Sequence, residues 1–298
     1  MALRSGAWDP GTSSGSGTTG SEDGHARGGG GLSQGWHARS AHRIVSFGTL
    51  VLVGTPIGNL GDLAPRAVEV LASADLLACE DTRRTRQLLT YCGISAAGRL
   101  VSLHEHNEAR RIPELLDRLA RGETVAVVSD AGMPGVSDPG SRLVASAVEA
   151  GHTVTVVPGP SAAMAALVVS GLPTRSFCFE GFLPRKGRLR RELLDEIATG
   201  RRTTVLFESP YRVAATVSDL EDACGGDRRV AIVRELTKVY EEVWRGTLGE
   251  AVSRYGEIAA RGTAPKGEHV IVVEGTQPSR NRPKDVCTRS GGEGPPPG

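Results

Sequence analysis

The sequence predicts an α/β protein of two α/β domains, the N-terminal one on a largely parallel sheet and the C-terminal one on a mixed sheet. Three observations carry this. From Thr49 to Val169 short β-branched apolar runs alternate with helical stretches, the pattern of parallel strands joined by crossover helices. Gly171-Leu172-Pro173 then interrupts the alternation. Beyond it strand runs follow one another directly, 229–236 into 243–248, as in a mixed or antiparallel sheet. The expected domains are 49–172 and 173–275. Residues 1–48 form a Gly/Ser-rich extension and 276–298 a similar tail, and both are expected to be disordered because they cannot bury enough to order themselves.

The first strand, Leu50–Val53, ends in Gly54-Thr55-Pro56-Ile57-Gly58-Asn59. Asp62, with Pro65 just inside, starts a helix that sets Leu63, Ala67, Val70 and Leu71 on one face. Leu76–Cys79 is a strand ending in Glu80-Asp81-Thr82-Arg83-Arg84, and Thr82–Tyr91 continues as a helix. Leu100–Leu103 runs into His104-Glu105-His106-Asn107, followed by a helix over 108–120. Thr124–Val128 reads as a strand buried on both faces and stops in Ser129-Asp130-Ala131-Gly132-Met133-Pro134. A helix near 141–150, the strand Thr153–Val157 and a helix opened by Pro158-Gly159-Pro160-Ser161 complete the domain. The second domain takes strands at 176–179, 203–207, 229–236, 243–248 and 269–273, with helices near 188–198, 211–223 and 248–261.

Asp130 therefore stands at the carboxyl edge of a parallel strand, where open α/β sheets bind ligands. Asp, Gly and Pro are also ordinary turn formers. The rich loops at the other strand ends favour a site.

Composition narrows the chemistry. The 298 residues carry a formal net charge of +1. Residues 49–275 hold 27 basic against 29 acidic side chains, net −2, so any nucleic-acid contact needs a local patch. One stretch qualifies: Arg185, Lys186, Arg188, Arg190 and Arg191 put five cations in seven positions. Such a run is usually a solvated face, and here it is also the obvious phosphate-contact patch, which Arg83, Arg84 and Arg86 could extend. With 4% aromatic residues, backbone and shape recognition is expected over base stacking.

The five scattered cysteines indicate a reducing compartment, with neither a disulfide framework nor a zinc site. No run reaches membrane-spanning length and no signal-peptide core is present, so a cytoplasmic location is expected. His104 and His106 could meet a metal with Asp130, but a polar strand end capping the next helix through Asn107 is the favoured reading, and no metal is expected. There is no P-loop string, no G-x-S-x-G elbow, and Pro56 removes an amide that a pyrophosphate would want.

The chain resembles the tetrapyrrole-methylase superfamily, the class III S-adenosylmethionine-dependent methyltransferases. The strings that carry the likeness are VGTPIGNLGD (53–62), CEDTRRT (79–85), LHEHNE (103–108), SDAGMP (129–134), DPG (138–140), PGPSA (158–162), SGLP (170–173), RELTK (234–238) and KGEHVIVVEG (266–275). Met133 departs from the Thr common there. Within the superfamily the likeness is to the branch that methylates a cytidine ribose 2′-hydroxyl in 16S ribosomal RNA.

The resemblance implies S-adenosylmethionine as cofactor, in a cleft between the two domains of a homodimer, with the 30S subunit as partner. By matching motifs, Ser129, Asp130, Ala131 and Pro134 would line the cofactor, with Ser161 and Ala162 opposite. Pro56, Ile57 and Gly58 would form the floor, and Glu208 and Glu235 would close over it. Asp81, Glu80 and Asp130 are candidates for the proton acceptor, with Lys238 and Arg83 orienting substrate. Glu80-Asp81-Thr82 reads equally well as helix capping. The alternatives are a tetrapyrrole methylase, whose first loop would usually read G-x-G-P-G-D, and a non-catalytic module that binds S-adenosylmethionine or RNA.

Overall fold

A computed structural model describes residues 48–261 and 265–276; the expected disordered ends lie outside them, apart from Gly48 and Thr276. Chain contacts divide the protein into two compact units. The first runs to Ala165 and takes in Glu235–Glu241, while the second holds 166–234 and the segment from Glu242 on. The expected boundary at 172/173 thus falls inside the second unit, and a short return segment was not foreseen.

The first unit is built on β1 (Thr49–Val53), β2 (Leu76–Cys79), β3 (Leu100–Ser102), β4 (Thr124–Val128) and β5 (Thr153–Val157). Their order is β3-β2-β4-β1-β5, every pairing is parallel, and β4 is central. Helices α1 (Pro65–Ser73), α2 (Thr82–Tyr91), α3 (Glu108–Ala120), α4 (Ser141–Glu149) and α5 (Ala162–Ser170) follow the strands in turn.

Side-chain alternation sorts the core into two layers. Val51, Val53, Leu77, Cys79, Ala126 and Val128 pack with Ala67 and Leu71 of α1 and Leu89 of α2. Leu50, Leu76, Ala78, Val125 and Val127 pack with Leu115 and Leu119 of α3 and Leu143 and Ala147 of α4. A sheet buried on both faces explains why β4 is apolar throughout.

The second unit contains β6 (Phe177–Phe182), α6 (Arg188–Thr199), β7 (Thr203–Glu208), α7 (Val213–Cys224), β8 (Arg229–Arg234), β9 (Glu242–Thr247), α8 (Leu248–Ala260) and β10 (His269–Val273). Its sheet runs β6-β7-β10-β8-β9. Only β6–β7 is parallel, so the sheet is mixed as expected.

Two capping expectations are corrected. Asp62 does not start α1: it ends a 3₁₀ turn, Leu60–Asp62, capped by Asn59, and α1 begins at Pro65. Asn107 precedes α3 without capping it. Its side chain turns back instead, accepting from the His104 N–H at 2.8 Å and donating to Ser102. The capping carboxylate here is the buried Glu108, whose Oε1 accepts from the N–H groups of Gly140 and Leu143, both at 3.1 Å. It ties the start of α3 to the start of α4.

Glu108→Ala would leave two N–H groups without an acceptor in a buried setting, a loss of about 3 kcal/mol. Urea unfolding at neutral pH should show that drop, and an unchanged midpoint would contradict the capping role.

Candidate active site at the carboxyl edge of the first sheet

All five strands of the first sheet point their carboxyl ends the same way, so the loops after them converge. The loops after β1 and β4 are joined directly. Thr55 N–H donates to the Gly132 carbonyl at 2.9 Å, and Gly132 N–H returns a bond to the Thr55 carbonyl at 3.1 Å. The Thr55 hydroxyl, itself buried, adds a bond to the Ser129 carbonyl. Gly132 holds this turn with φ +84°, a conformation glycine adopts at little cost.

The loop after β5 comes as close. A Cβ on Gly54 would stand 2.6 Å from the Gly159 Cα and 2.7 Å from the Met133 sulfur. Met133 therefore packs on the first loop. Ser161 opens α5, its hydroxyl 3.5 Å from the Met164 N–H. The arrangement brings together Pro56, Ile57, Gly58, Ser129, Asp130, Ala131 and Pro134 on the loops after β1 and β4. Ser161 and Ala162 follow the loop after β5 at the same edge.

The return segment completes this edge. Beyond β8 the chain passes through Glu235 and Thr237 at φ +51° and +65°, both unusual for residues with side chains. A Cβ on Gly58 would lie 2.4 Å from the Lys238 side chain. Lys238 in turn pairs with Glu235 at 2.8 Å. Glu235 and Lys238 thus belong with the first unit.

Glu208 belongs to the second unit, buried at the end of β7. Its carboxylate accepts from the Thr216 hydroxyl at 2.6 Å and the Ser209 N–H at 2.8 Å, and Arg212 stands 3.4 Å away. Arg190, also in the second unit, departs from the expected exposed patch. It is buried, bonds Thr216, Asp219 and the Pro184 carbonyl, and is no part of the exposed basic stretch. Arg185, Lys186, Arg188 and Arg191 remain exposed.

The carboxylates at the edge are in contrasting states. Asp81 caps α2 through the Arg83 N–H at 2.8 Å, and the Arg83 guanidinium pairs with it at 2.9 Å. The hydrogen bond from Arg83 holds the Asp81 carboxyl down to about 2. Asp130 accepts from the Asp81 N–H at 3.1 Å and lies 3.4 Å from Arg84, while its own N–H reaches Glu80 at 3.5 Å. Burial, with the charge of Glu80, raises Asp130 to about 6 against the pull of Arg84. Sequence reasoning missed a fourth group, Asp138. Burial, then the charges of Glu80 and Asp130, push it up to about 7. Its only signal in sequence was the Asp-Pro-Gly string closing the loop after β4. Around His104 and His106 no metal centre forms: among the described residues no cluster of His, Cys, Asp or Glu is arranged to hold a metal ion.

A carboxyl raised from 3.8 to about 7 binds its proton more tightly in the folded state. The stability it lends is complete below its unfolded value and is lost as pH rises through the folded one. Asp138→Asn should therefore be more stable than the parent at pH 8, on the order of 2–3 kcal/mol. The gain should vanish near pH 4, where both side chains are neutral. Unfolding curves at the two pH values check this, and equal stability at pH 8 would refute it.

Residues 49–252 match the family described as Tetrapyrrole (Corrin/Porphyrin) Methylases. A ribosomal RNA small subunit methyltransferase I from Mycobacterium tuberculosis is 50% identical over 254 residues, 82% of this chain and 89% of that protein. The protein of the same name from Synechocystis is 48% identical over 232 residues, 78% of this chain and 81% of that one. Among solved structures, a uroporphyrin-III C-methyl transferase from Thermus thermophilus, complexed with S-adenyl homocysteine, superposes with a TM-score of 0.52 at 20% identity. That match covers 76% of this chain and 97% of the other, and shows the fold. The chain belongs to the tetrapyrrole methylase family, alongside the ribosomal RNA small subunit methyltransferase I proteins.

Proposed function

We propose that this protein is an S-adenosylmethionine-dependent methyltransferase that modifies the ribose 2′-hydroxyl of a cytidine in 16S ribosomal RNA. The observation that carries the reading is half identity, over most of both chains, to proteins named for methylation of small-subunit ribosomal RNA. The assembled small subunit would be the substrate, the location cytoplasmic and the active form a homodimer.

The edge of the first sheet suits the cofactor. Close backbone approach at Gly54 and Gly159 leaves no room there for a Cβ, and the Thr55–Gly132 bridge fixes the two loops to each other. Pro56, Ile57, Gly58, Ser129, Ala131, Pro134, Ser161 and Ala162 would hold the group, with Glu235 beside the first loop. When bound, S-adenosylmethionine supplies a methyl group activated by its sulfonium. The protein's share is placement of the acceptor oxygen in line with that methyl, which removes entropy from the barrier, and a group to take the 2′-hydroxyl proton. Lys238 and Arg83 would orient the RNA, with Arg84, Arg185, Lys186, Arg188 and Arg191 contacting phosphates. Glu208, bound inside its own network, would stiffen the second unit.

Mapping ribose methylation in small-subunit RNA from cells with and without the gene tests the proposal. One cytidine should lose its 2′-O-methyl group in the deleted strain and regain it on treatment of those subunits with purified protein and S-adenosylmethionine. An unchanged methylation map, or transfer to a tetrapyrrole instead, would overturn it.

A further inference from the structure

We propose that the buried Glu208, acting through Thr216, Arg190 and Arg212, is a positioning residue that sets the loop between β6 and α6 for contact with RNA phosphates. The inference rests on the ribosomal RNA reading above. The loop runs from Leu183 to Gly187 and carries Arg185 and Lys186, with Arg188 and Arg191 on the first turn of α6. All four are exposed.

Two arginines hold this loop at its root. Arg212, just before α7, donates to the Leu183 carbonyl at 2.6 Å, and Arg190 of α6 donates to the Pro184 carbonyl at 2.9 Å. Successive carbonyls are thus fixed from two sides, immediately ahead of the first loop cation. Gly187 closes the loop at φ +95°, and a Cβ there would meet nothing within 4 Å. The backbone turn, not a lack of room, is what requires glycine at that position.

Both arginines are tied to Glu208, whose side chain is fully buried. One carboxylate oxygen accepts from the Ser209 N–H at 2.8 Å and lies 3.4 Å from Arg212 Nε. The other accepts from the Thr216 hydroxyl at 2.6 Å. With its proton directed at Glu208, the Thr216 oxygen accepts from Arg190 Nη2 at 3.1 Å. Arg190 Nε donates to Asp219 at 2.7 Å, so each nitrogen of its planar fork has a partner. A buried charged network adds little stability over an apolar core of the same volume, but it admits few arrangements of its donors. What this arrangement fixes is the root of the basic loop. Arg190 and Arg212 are balanced inside by Asp219 and Glu208, which leaves the four exposed cations to face a partner. Arg188 meets Glu192 at 3.1 Å, an exposed pair that a phosphate can replace.

The test measures binding of the full-length protein to small subunits from cells lacking the gene. Thr216→Val, Thr216→Ser and Arg190→Lys change neither net charge nor an exposed cation, and Lys186→Gln serves as the reference for a lost phosphate contact. Thr216→Val and Arg190→Lys should weaken binding about tenfold and lower the salt slope by about one, as Lys186→Gln does. KM for the subunit should rise with kcat held within about twofold, and affinity for S-adenosylmethionine should not move. Thr216→Ser keeps the hydroxyl and should bind as the parent does. Adding Lys186→Gln to Thr216→Val should cost less than it costs the parent, because that contact is already impaired. A network that only stabilises the fold would shift the unfolding midpoint and leave the salt slope alone. Parental slopes in Thr216→Val and Arg190→Lys would therefore overturn the inference. So would equal acetylation of Lys186 in the free parent and in its complex with the subunit, a footprint that needs no variant. A parent that neither binds nor methylates the subunit would overturn the ribosomal RNA reading instead.

Discussion

Two reciprocal hydrogen bonds between Thr55 and Gly132, at 2.9 and 3.1 Å, tie the loop after β1 to the loop after β4. Much of the first unit's proposed cofactor edge depends on this tie. Parallel strands bring their carboxyl ends together but do not by themselves order the loops that leave them. The bridge does so, with the buried Thr55 hydroxyl bonding the Ser129 carbonyl as a third restraint. Gly54 and Gly159 extend the same constraint to β5, because only residues without a Cβ allow their backbones to meet so closely. A site built this way presents backbone groups and rigid turns, which suits a reaction that needs alignment more than covalent chemistry.

The edge also carries an electrostatic cost. Asp130 and Asp138 are held partly out of water next to Glu80, and both carboxyls are raised as a result. The neighbouring Asp81 is lowered by Arg83. Three aspartates within one loop cluster therefore differ in basicity because of burial and partners, although their chemistry is the same. Destabilisation of this kind is maintained by the surrounding core: both faces of β4 are packed, and Glu108 anchors the far end of its loop.

The strands and helices of the first unit were legible because their burial has a period. Residues at alternate strand positions face different helices, and an apolar run such as Thr124–Val128 can satisfy both layers only at the centre of a sheet. The loops at the strand ends stood out as candidate site for the same reason. Pairings made in space were not legible. Arg190 looked like one of five surface cations because its partners, Thr216 and Asp219, are on another helix. The return of Glu235–Glu241 to the first unit depends on positive φ at Glu235 and Thr237, which no glycine announces. Asp138 was hidden by a tight turn that sets it beside Ser129, a contact with no sequence period.

The central claim is that the bridged loops form the cofactor site, and amide hydrogen exchange at Thr55 and Gly132 tests it most directly. Both amides are bonded across the bridge in the free protein, so they should exchange measurably slowly without ligand. Saturating S-adenosylmethionine should slow them further, together with amides of the loop after β5, and leave those of α7 unchanged. Binding of S-adenosylmethionine with no change in exchange at either amide would contradict the account and place the cofactor elsewhere.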